Sequence, residues 1–181
     1  MTSTDDSRRP FCVLMAGLPG SGKTTLSRAL TARGFMRLCP DEEMYRRHGV
    51  YGVDFPRGTF PALERPVLEE IAVELQQQLR IGQDVVVDHG FWTPDDRAYW
   101  RSLVTEAGAS VVLVYLEASH DELWSRVSKR NAQHEADPNS IYFAESDLLR
   151  YRTRFVPPEP GEPHMVYNGD PESVLKALEA A

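Results

Sequence analysis

The sequence predicts a three-layer α/β fold, in which a mainly parallel sheet of about five strands is covered by helices on both faces. Short apolar runs that suit buried strands alternate with amphipathic helical patterns. Successive strand patterns are separated by more than a dozen residues, which is enough for a parallel crossover. The first strand pattern also leads into a glycine-rich turn before a helix, an arrangement that is typical of phosphate-binding folds.

The first strand and helix follow directly from the residues. The run 11–16 is apolar and is bounded by Pro10 and Gly17, which suits a fully buried strand. After the glycine-rich turn, residues 23–33 carry an apolar face, and Gly34 suits the end of a helix as its C-cap.

The middle of the chain continues the alternation. Residues 35–39 form the second predicted strand, and the apolar stripe of 63–82 predicts a long helix. Residues 84–88 form the third strand. Thr93, followed by a proline and two acidic residues, begins a helix as its N-cap, and that helix should run to about Gly108.

The remaining elements are a strand at 110–116, a helix at 119–131, a helix at 144–155, a strand at 164–167 and a helix at 171–180. Ligands in parallel sheets bind at the carboxyl ends of the strands. We therefore expect the functional residues immediately after each strand.

The length and composition favour one globular domain. A chain of 181 residues with 41% hydrophobic residues buries a single sizeable core, so we predict one domain over 11–181 and a disordered tail over 1–10. Cys12 and Cys39 lack metal-ligand spacing and are expected to be buried reduced thiols, which indicates a cytoplasmic protein. The net charge of -7 disfavours nucleic acid as a partner, and no stretch predicts a membrane span or a leader. The sequence leaves the oligomeric state open.

The strongest motif is the segment 17–24, which reads GLPGSGKT and matches the complete Walker A pattern. Its glycines let backbone N–H groups surround phosphates, while Lys23 should reach the outer phosphates and Thr24 should bind Mg²⁺. The absence of an N-K-x-D run favours ATP over GTP. The residues expected to bind ATP in this segment are Gly17, Pro19, Gly20, Ser21, Gly22, Lys23, Thr24 and Thr25.

Asp41 follows the second strand and has two interpretations. It is the candidate general base that orients a hydroxyl acceptor and takes its proton. It equally suits a plain N-cap of the next helix. Arg46, about one helical turn later, is a candidate acceptor-binding residue.

Asp88 ends the third strand, where an acid is typical of the magnesium shell, although a structural hydrogen bond is nearly as plausible an explanation. The following His89 has no identifiable partner, and we interpret it as structural. Trp92 is a candidate wall of the acceptor pocket, with core packing as the commoner use of an aromatic residue.

Arg126 and Arg130 lie four residues apart and share one helix face. Paired arginines suit a lid, about 126–142, that clamps phosphate oxygens and offsets the charge of the transferred group. The alternative is a solvated basic face.

These motifs resemble those of the small P-loop kinases, including the polynucleotide kinase 5′-kinase domain, the zeta toxins and chloramphenicol phosphotransferase. The resemblance covers about residues 11–160. It implies that Asp41 is the catalytic base, that Lys23 and Thr24 bind phosphate and magnesium, and that Arg126 and Arg130 act on the nucleotide from a lid.

We therefore expect a kinase that transfers the terminal phosphoryl group of ATP, with Mg²⁺, to a hydroxyl of a small molecule. Asp41, Lys23 and Arg130 are its expected catalytic residues. Two alternatives stay open: a 5′-hydroxyl polynucleotide kinase, which the acidic residues 42, 43 and 54 disfavour, and a regulatory ATP-binding protein without transfer activity.

Overall fold

The structure, a computed structural model, describes residues 8–133 and 141–180. Within these residues five strands form one fully parallel sheet, in the spatial order second, third, first, fourth, fifth. The α/β prediction is confirmed. The strands are β1 (Phe11–Ala16), β2 (Met36–Leu38), β3 (Val85–Gly90), β4 (Ser110–Tyr115) and β5 (Met165–Val166).

Seven helices occur in the described part of the chain, in the predicted alternation with the strands. Most boundaries lie within a few residues of the predicted ones. The small differences arise because frayed helix ends and short edge strands carry weak sequence signals. The helices are α1 (Lys23–Thr31), α2 (Pro40–His48), α3 (Phe60–Arg80), α4 (Pro94–Glu106), α5 (His120–Ala132), α6 (Glu145–Arg154) and α7 (Pro171–Glu179).

The strand β1 lies at the centre of the sheet, and all six of its residues are buried. Alternate side chains enter two cores, as the period of a strand requires. Leu14 packs in a core that includes Leu75 of α3, while Val13 packs in a core that includes Leu26 of α1 and Val174 of α7. The sheet is therefore covered on both faces, and the three-layer prediction is confirmed.

The structure describes residues 8–10, which directly precede β1. Arg8 Nη2 lies 2.6 Å from Asp84 Oδ2, and the other oxygen of Asp84 accepts a 2.7 Å hydrogen bond from the Phe11 backbone N–H. The carboxylate at the start of β3 therefore holds Arg8, within the predicted tail of 1–10, and 1–7 lie outside the described residues. Similarly, of the predicted lid, residues 134–140 lie outside the described chain.

Among the described residues, no helix is both long enough and apolar enough to cross a lipid bilayer. Cys12 is buried, Cys39 is half-buried, and both are free thiols.

A register shift in the sheet positions the candidate site. Leu14 of β1 pairs with Val87 of β3, but the next residue, Met15, pairs with Gly90. Asp88 and His89 therefore stand between these pairs, beside the start of the glycine-rich turn. Such irregularities re-aim side chains next to functional sites.

Candidate active site around the phosphate loop

The glycine-rich turn joins β1 to the N-terminus of α1. Gly20 and Gly22 have φ angles of 83° and 101°, which favour glycine, and Gly22 is the N-cap residue of α1. A Cβ atom on Gly17 would lie 2.4 Å from Ser21 Oγ, so this position also needs glycine. The turn therefore presents backbone N–H groups and a helix N-terminus to one concave space, the arrangement that binds phosphate.

Lys23 reaches across this turn. Its Nζ atom donates hydrogen bonds to the carbonyl oxygens of Leu18, at 2.9 Å, and Gly17, at 3.3 Å. Burial lowers the pKa of Lys23 to about 8, although the nearby carboxylates of Asp88 and Asp41 oppose that shift. An anion bound at the loop would supply the stronger partner that this buried ammonium group lacks.

Ser21 gives a second test of whether the loop fits phosphate. Its hydroxyl group is buried and has no hydrogen-bond partner among the described residues. Buried hydroxyl groups are normally paired. An orphan hydroxyl in this loop, together with Lys23, fits a polyphosphate.

Trp92 and Gly90 lie against the carbonyl oxygen of Gly17 in the phosphate loop. Trp92 Nε1 donates to the carbonyl oxygen of Gly17 at 3.2 Å, and its ring centroid lies 5.1 Å from that of Tyr151. A Cβ atom on Gly90 would lie 2.5 Å from the same carbonyl oxygen. Trp92 thus packs against the phosphate loop and is not among the residues that line the cleft beside Asp41, and its role in the acceptor pocket stays a prediction.

Asp41 lies in the first turn of α2 but does not cap it. The N-cap residue is Cys39, and no side chain makes a capping hydrogen bond there. Solvent reaches Asp41, yet the surrounding protein raises the pKa of its carboxyl by desolvation, with Lys23 and Arg130 opposing the shift. The N-cap interpretation is therefore wrong, and the carboxylate is left facing the phosphate loop.

A small cleft opens beside Asp41. Four of its nine lining residues are aromatic, and all but Ile141 come from α2, the segment after it and the start of α3. The residues lining it are Asp41, Met44, Tyr45, Gly49, Val50, Tyr51, Phe55, Phe60 and Ile141.

Arg46 does not reach this cleft. It lies on the other face of α2, is exposed, and pairs with Glu43, which also binds Arg47. Because α2 turns through 100° per residue, Asp41 and Arg46 point in different directions. The prediction that Arg46 binds the acceptor is therefore not supported by its position.

Asp88 is buried and firmly held. Its Oδ2 atom accepts hydrogen bonds from Ser27 Oγ at 3.0 Å, Arg37 Nε at 3.0 Å and Arg37 Nη2 at 2.6 Å. The structural hydrogen bonds that the sequence allowed are thus present, with α1 and β2 as the donors. All three hydrogen bonds are accepted by Oδ2, so Oδ1 takes no part in this network.

The residues that would hold a metal ion are few. Among the described residues, no group of three or more His, Cys, Asp or Glu side chains is arranged for a metal. Thr24 is exposed at the start of α1, next to the phosphate loop. Magnesium commonly takes one or two protein oxygens and completes its shell with phosphate and water, which Thr24 and Asp88 suit.

The arginines of α5 face the loop. Arg126 Nη1 donates to the carbonyl oxygen of Gly20 at 3.1 Å. The charge of Arg130 acts on both Lys23 and Asp41, and its guanidinium carbon lies 5.8 Å from the centre of the Phe143 ring. The structure therefore brings both arginines to the candidate site. They do not form a purely solvated basic face of α5.

Three residues around the candidate site were missed or undervalued in the sequence. Glu64 of α3 and Asp96 of α4 act electrostatically on each other, and Asp41 also acts on Glu64. His89 is desolvated, which lowers its pKa to about 4. Glu64 follows Phe60 by four residues, a spacing that places both on one helix face, but nothing in the sequence showed that this face meets Asp41.

A family model described as an AAA domain matches residues 12–158. The chain belongs to this AAA-domain family. Its fold is that of the P-loop kinases, which implies nucleotide binding. No curated protein matches the sequence of this AAA-domain chain.

Solved structures share the fold of this AAA-domain protein. A candidate kinase from Chloroflexus aurantiacus is 24% identical, with a TM-score of 0.75 over 96% of this chain and 98% of that one. A chain of an RNA repair complex is 18% identical, with a TM-score of 0.66 over 85% and 46%. The Mycobacterium tuberculosis APS kinase, solved with AMPPNP and APS, is 19% identical, with a TM-score of 0.60 over 94% and 98%. At these identities the likeness shows the fold.

Proposed function

We propose that this protein is an ATP-dependent kinase that transfers the γ-phosphoryl group of ATP to a hydroxyl of a small molecule. The observation that carries the proposal is the placement of Asp41. Its carboxylate makes no capping bond and no ion pair among the described residues, yet it is close enough to Lys23 for each to shift the other's pKa. A carboxylate beside the phosphate loop suits a base that orients a hydroxyl group.

The proposed roles of the chain's own residues follow from their positions. The loop at 17–24 and Thr25 hold the phosphates, and Lys23 places its charge on the outer ones. Arg126 and Arg130 approach from α5 to offset charge that develops during transfer. Thr24 and Asp88 would hold Mg²⁺, which neutralises phosphate charge when it is bound.

The proposed mechanism requires Asp41 to hold the acceptor hydroxyl in line with the terminal phosphate and to accept its proton. In a loose transition state the nucleophile is bonded weakly, so positioning is the larger part of this role. Desolvation raises the pKa of Asp41, which makes its carboxylate a stronger base than a solvated aspartate. A raised pKa suits a group that must take a proton.

A polynucleotide 5′ end is less well supported as the acceptor. The acids that argued against it in the sequence are occupied: Glu42 pairs with Arg37, Glu43 with Arg46, and Asp54 accepts from the Val50 backbone. The charge of Asp41 acts on Glu64, so a second acid lies near the candidate base, which is unfavourable for a polyanion.

We propose one domain over residues 11–181 and a cytoplasmic location, the latter on the two free cysteines. A role as a regulatory ATP-binding protein would not use Asp41.

The proposal is tested by incubating the protein with γ-labelled ATP, Mg²⁺ and a panel of hydroxyl-bearing metabolites. Label should move to an acceptor, and Lys23→Ala should abolish the transfer because it removes the charge on the outer phosphates. Equal transfer by the parent and Lys23→Ala would reject the kinase proposal.

A further inference from the structure

The carbonyl oxygen of Gly17 accepts hydrogen bonds from two side chains. Gly17 is buried at the start of the phosphate loop, Lys23 Nζ lies 3.3 Å from its oxygen, and Trp92 Nε1 lies 3.2 Å from the same oxygen. A carbonyl oxygen has two lone pairs and can accept both bonds. The candidate phosphate-binding lysine and an aromatic residue after β3 therefore share one backbone atom.

Two carbonyl oxygens of the loop set the direction of the Lys23 side chain. Its ammonium group has three N–H donors. Two of them are used by the oxygens of Gly17 and Leu18, the latter at 2.9 Å, and the third is left for the outer phosphates of a nucleotide. A shift of either carbonyl group would re-aim that third donor, and a misplacement of about 1 Å can cost on the order of 10²-fold in rate.

Each of these carbonyl groups is held by a second donor. The oxygen of Leu18 also accepts from the Ser21 backbone N–H at 3.1 Å, so the turn of the loop itself fixes it. The oxygen of Gly17 has the indole N–H of Trp92 as its second donor. Trp92 therefore holds the Gly17 carbonyl group as the loop backbone holds that of Leu18.

The contact between Trp92 and Gly17 requires glycine at position 90. A Cβ atom on Gly90 would lie 2.5 Å from the Gly17 oxygen and 2.7 Å from Trp92 Nε1, and both distances are far below a normal contact. Gly90 is not among the glycines with a positive φ angle, so its backbone conformation does not call for glycine. The space left by the missing side chain lets the ring nitrogen reach the carbonyl oxygen.

The segment that carries Trp92 is fixed by a fully buried arginine. Arg97 Nη1 donates to the carbonyl oxygens of Phe91, at 3.1 Å, and Val156, at 2.9 Å, while Glu162 pairs with its charge. Val156 in turn donates its backbone N–H to the carbonyl oxygen of Trp92 at 2.8 Å. The backbone of Trp92 is therefore held in place, and its ring nitrogen has a fixed position beside the loop.

We propose that Trp92 is a positioning residue for Lys23, which it orients through the shared carbonyl oxygen of Gly17. The proposal rests on the nucleotide binding that the proposed kinase function requires, and it does not need Trp92 to touch ATP. Loss of the indole N–H should weaken the hold of Lys23 on the outer phosphates. AMP, which lacks those phosphates, should bind as before.

The test compares Trp92→Phe with Trp124→Phe. Phenylalanine keeps an aromatic ring but removes the N–H donor. Trp124 is the matched control, because it is also half-buried against the small core of Leu18, Leu123 and Leu148. Its indole N–H has no hydrogen bond within residues 8–133 and 141–180.

Dissociation constants for ATP and AMP are measured by displacement of a fluorescent ATP analogue, with each variant made alone and together with Lys23→Ala. Trp92→Phe should weaken ATP binding about tenfold, since a buried acceptor that loses its donor costs roughly that factor. With Lys23→Ala the same change should have no effect, because no lysine is left to orient. Trp124→Phe should match the parent. Equal losses with and without Lys23, or a loss shared by AMP, would indicate a general loosening of the loop and overturn the inference.

A second measurement uses the parent protein and so does not depend on the folding of a variant. The exchange of the tryptophan indole N–H groups with solvent is followed by NMR in protein loaded with a non-hydrolysable ATP analogue. The Trp92 N–H should exchange more slowly than that of Trp124, because it is bonded to a buried carbonyl oxygen. Exchange as fast as that of Trp124 would show that the bond is broken in the loaded protein and would also overturn the inference.

The inference and the kinase proposal fail in different ways. Phosphoryl transfer, with the ATP affinity of Trp92→Phe equal to that of the parent, would support the kinase and reject the positioning role. A loss of ATP affinity that depends on Lys23, without transfer to any acceptor, would support the positioning role and reject the kinase. Equal affinity without transfer would reject both.

Discussion

Arg37 Nη2 donates a 2.6 Å hydrogen bond to Asp88 Oδ2, so that an arginine on β2 fixes an acid two residues before the end of the neighbouring strand β3. Arg37 Nη1 also donates to Glu42 Oε1 at 2.7 Å, one residue after Asp41. The same guanidinium group therefore joins the candidate magnesium ligand to the helix that carries the candidate base. Both ends of the proposed reaction depend on one side chain for their placement.

Replacing Arg37 should destabilise the protein and disturb the magnesium site. In Arg37→Gln the buried carboxylate of Asp88 loses its positive partner, and breaking a buried ion pair in this way costs about 3 kcal/mol or more. Chemical denaturation should show this loss in the free energy of unfolding. Titration of Mg²⁺ into the protein with ATP should show a weaker metal dependence of ATP binding, because Asp88 is no longer held.

The double variant Arg37→Gln with Asp88→Asn provides the control. Replacing both charged groups leaves a neutral pair, so part of the lost stability should return, while the metal dependence should stay weak. A single variant within about 0.5 kcal/mol of the parent would show that this pair does not organise the site.

The affinity for ATP should fall as pH rises through about 8, because Lys23 binds phosphate as an ammonium ion and burial lowers its pKa to about 8. If only the protonated form binds, the dissociation constant should rise about tenfold between pH 7 and pH 9. Calorimetry or a fluorescent ATP analogue measures the change.

Lys23→Arg is the matched variant for this pH dependence. An arginine stays protonated over the whole range, so its affinity for ATP should be flat with pH, whatever its absolute value. The same fall with pH in both proteins would assign the titration to another group.

The contribution of Glu64 to the stability of the protein should fall as pH rises. Because the folded pKa of Glu64 is raised from 4.5 to about 7, the folded state binds this proton more tightly than the unfolded state. Its contribution to stability is therefore lost as pH rises from 4.5 to 7. Glu64→Gln should match the parent near pH 4 and exceed it at pH 8 by up to about 3 kcal/mol.

Glu69→Gln, on the exposed side of the same helix, should follow the parent at both pH values. Asp41 and Asp96, whose charges act on Glu64, are present in all three proteins. A Glu64→Gln variant less stable than the parent at pH 8 would contradict the placement of this carboxylate among like charges.

The sequence predicted the sheet, its helices and the phosphate loop because those features have local signals. Apolar runs, a capping Thr93 and the 17–24 motif are each contained in a few adjacent residues. Thr93 Oγ1 accepts from the backbone N–H of Asp96, as an N-cap residue does. A local pattern of this kind specifies its own backbone geometry without contacts from distant parts of the sequence.

The acceptor side was less predictable, because contacts distant in sequence decide it. Arg46 and Trp92 had the right residue types near the right strands, but the rotation of α2 and the contact of Trp92 with Gly17 direct them elsewhere. Phe60 of α3 lines the cleft beside Asp41 because α3 packs against α2. Arg37 looked like an ordinary strand residue, since its partner Asp88 lies 51 positions away.

If Asp41 acts as the base of a phosphoryl transfer, Asp41→Asn should impair turnover and leave ATP binding intact. Asparagine keeps the size of the side chain but cannot accept the hydroxyl proton. General-base contributions are on the order of 10² to 10⁴-fold, so turnover should fall by about that factor. The affinity for ATP and the thermal stability should stay close to those of the parent, since Cys39 and not Asp41 is the N-cap residue of α2.

Glu43→Gln is the matched control, because it removes a carboxylate from the other face of α2, where Glu43 binds Arg46 and Arg47. It should keep near-parental turnover. The decisive measurement is the turnover of Asp41→Asn with a true acceptor, at saturating ATP and Mg²⁺. A fall of about a hundredfold or more is the predicted result, and turnover within a few-fold of the parent would contradict it and remove Asp41 from the mechanism.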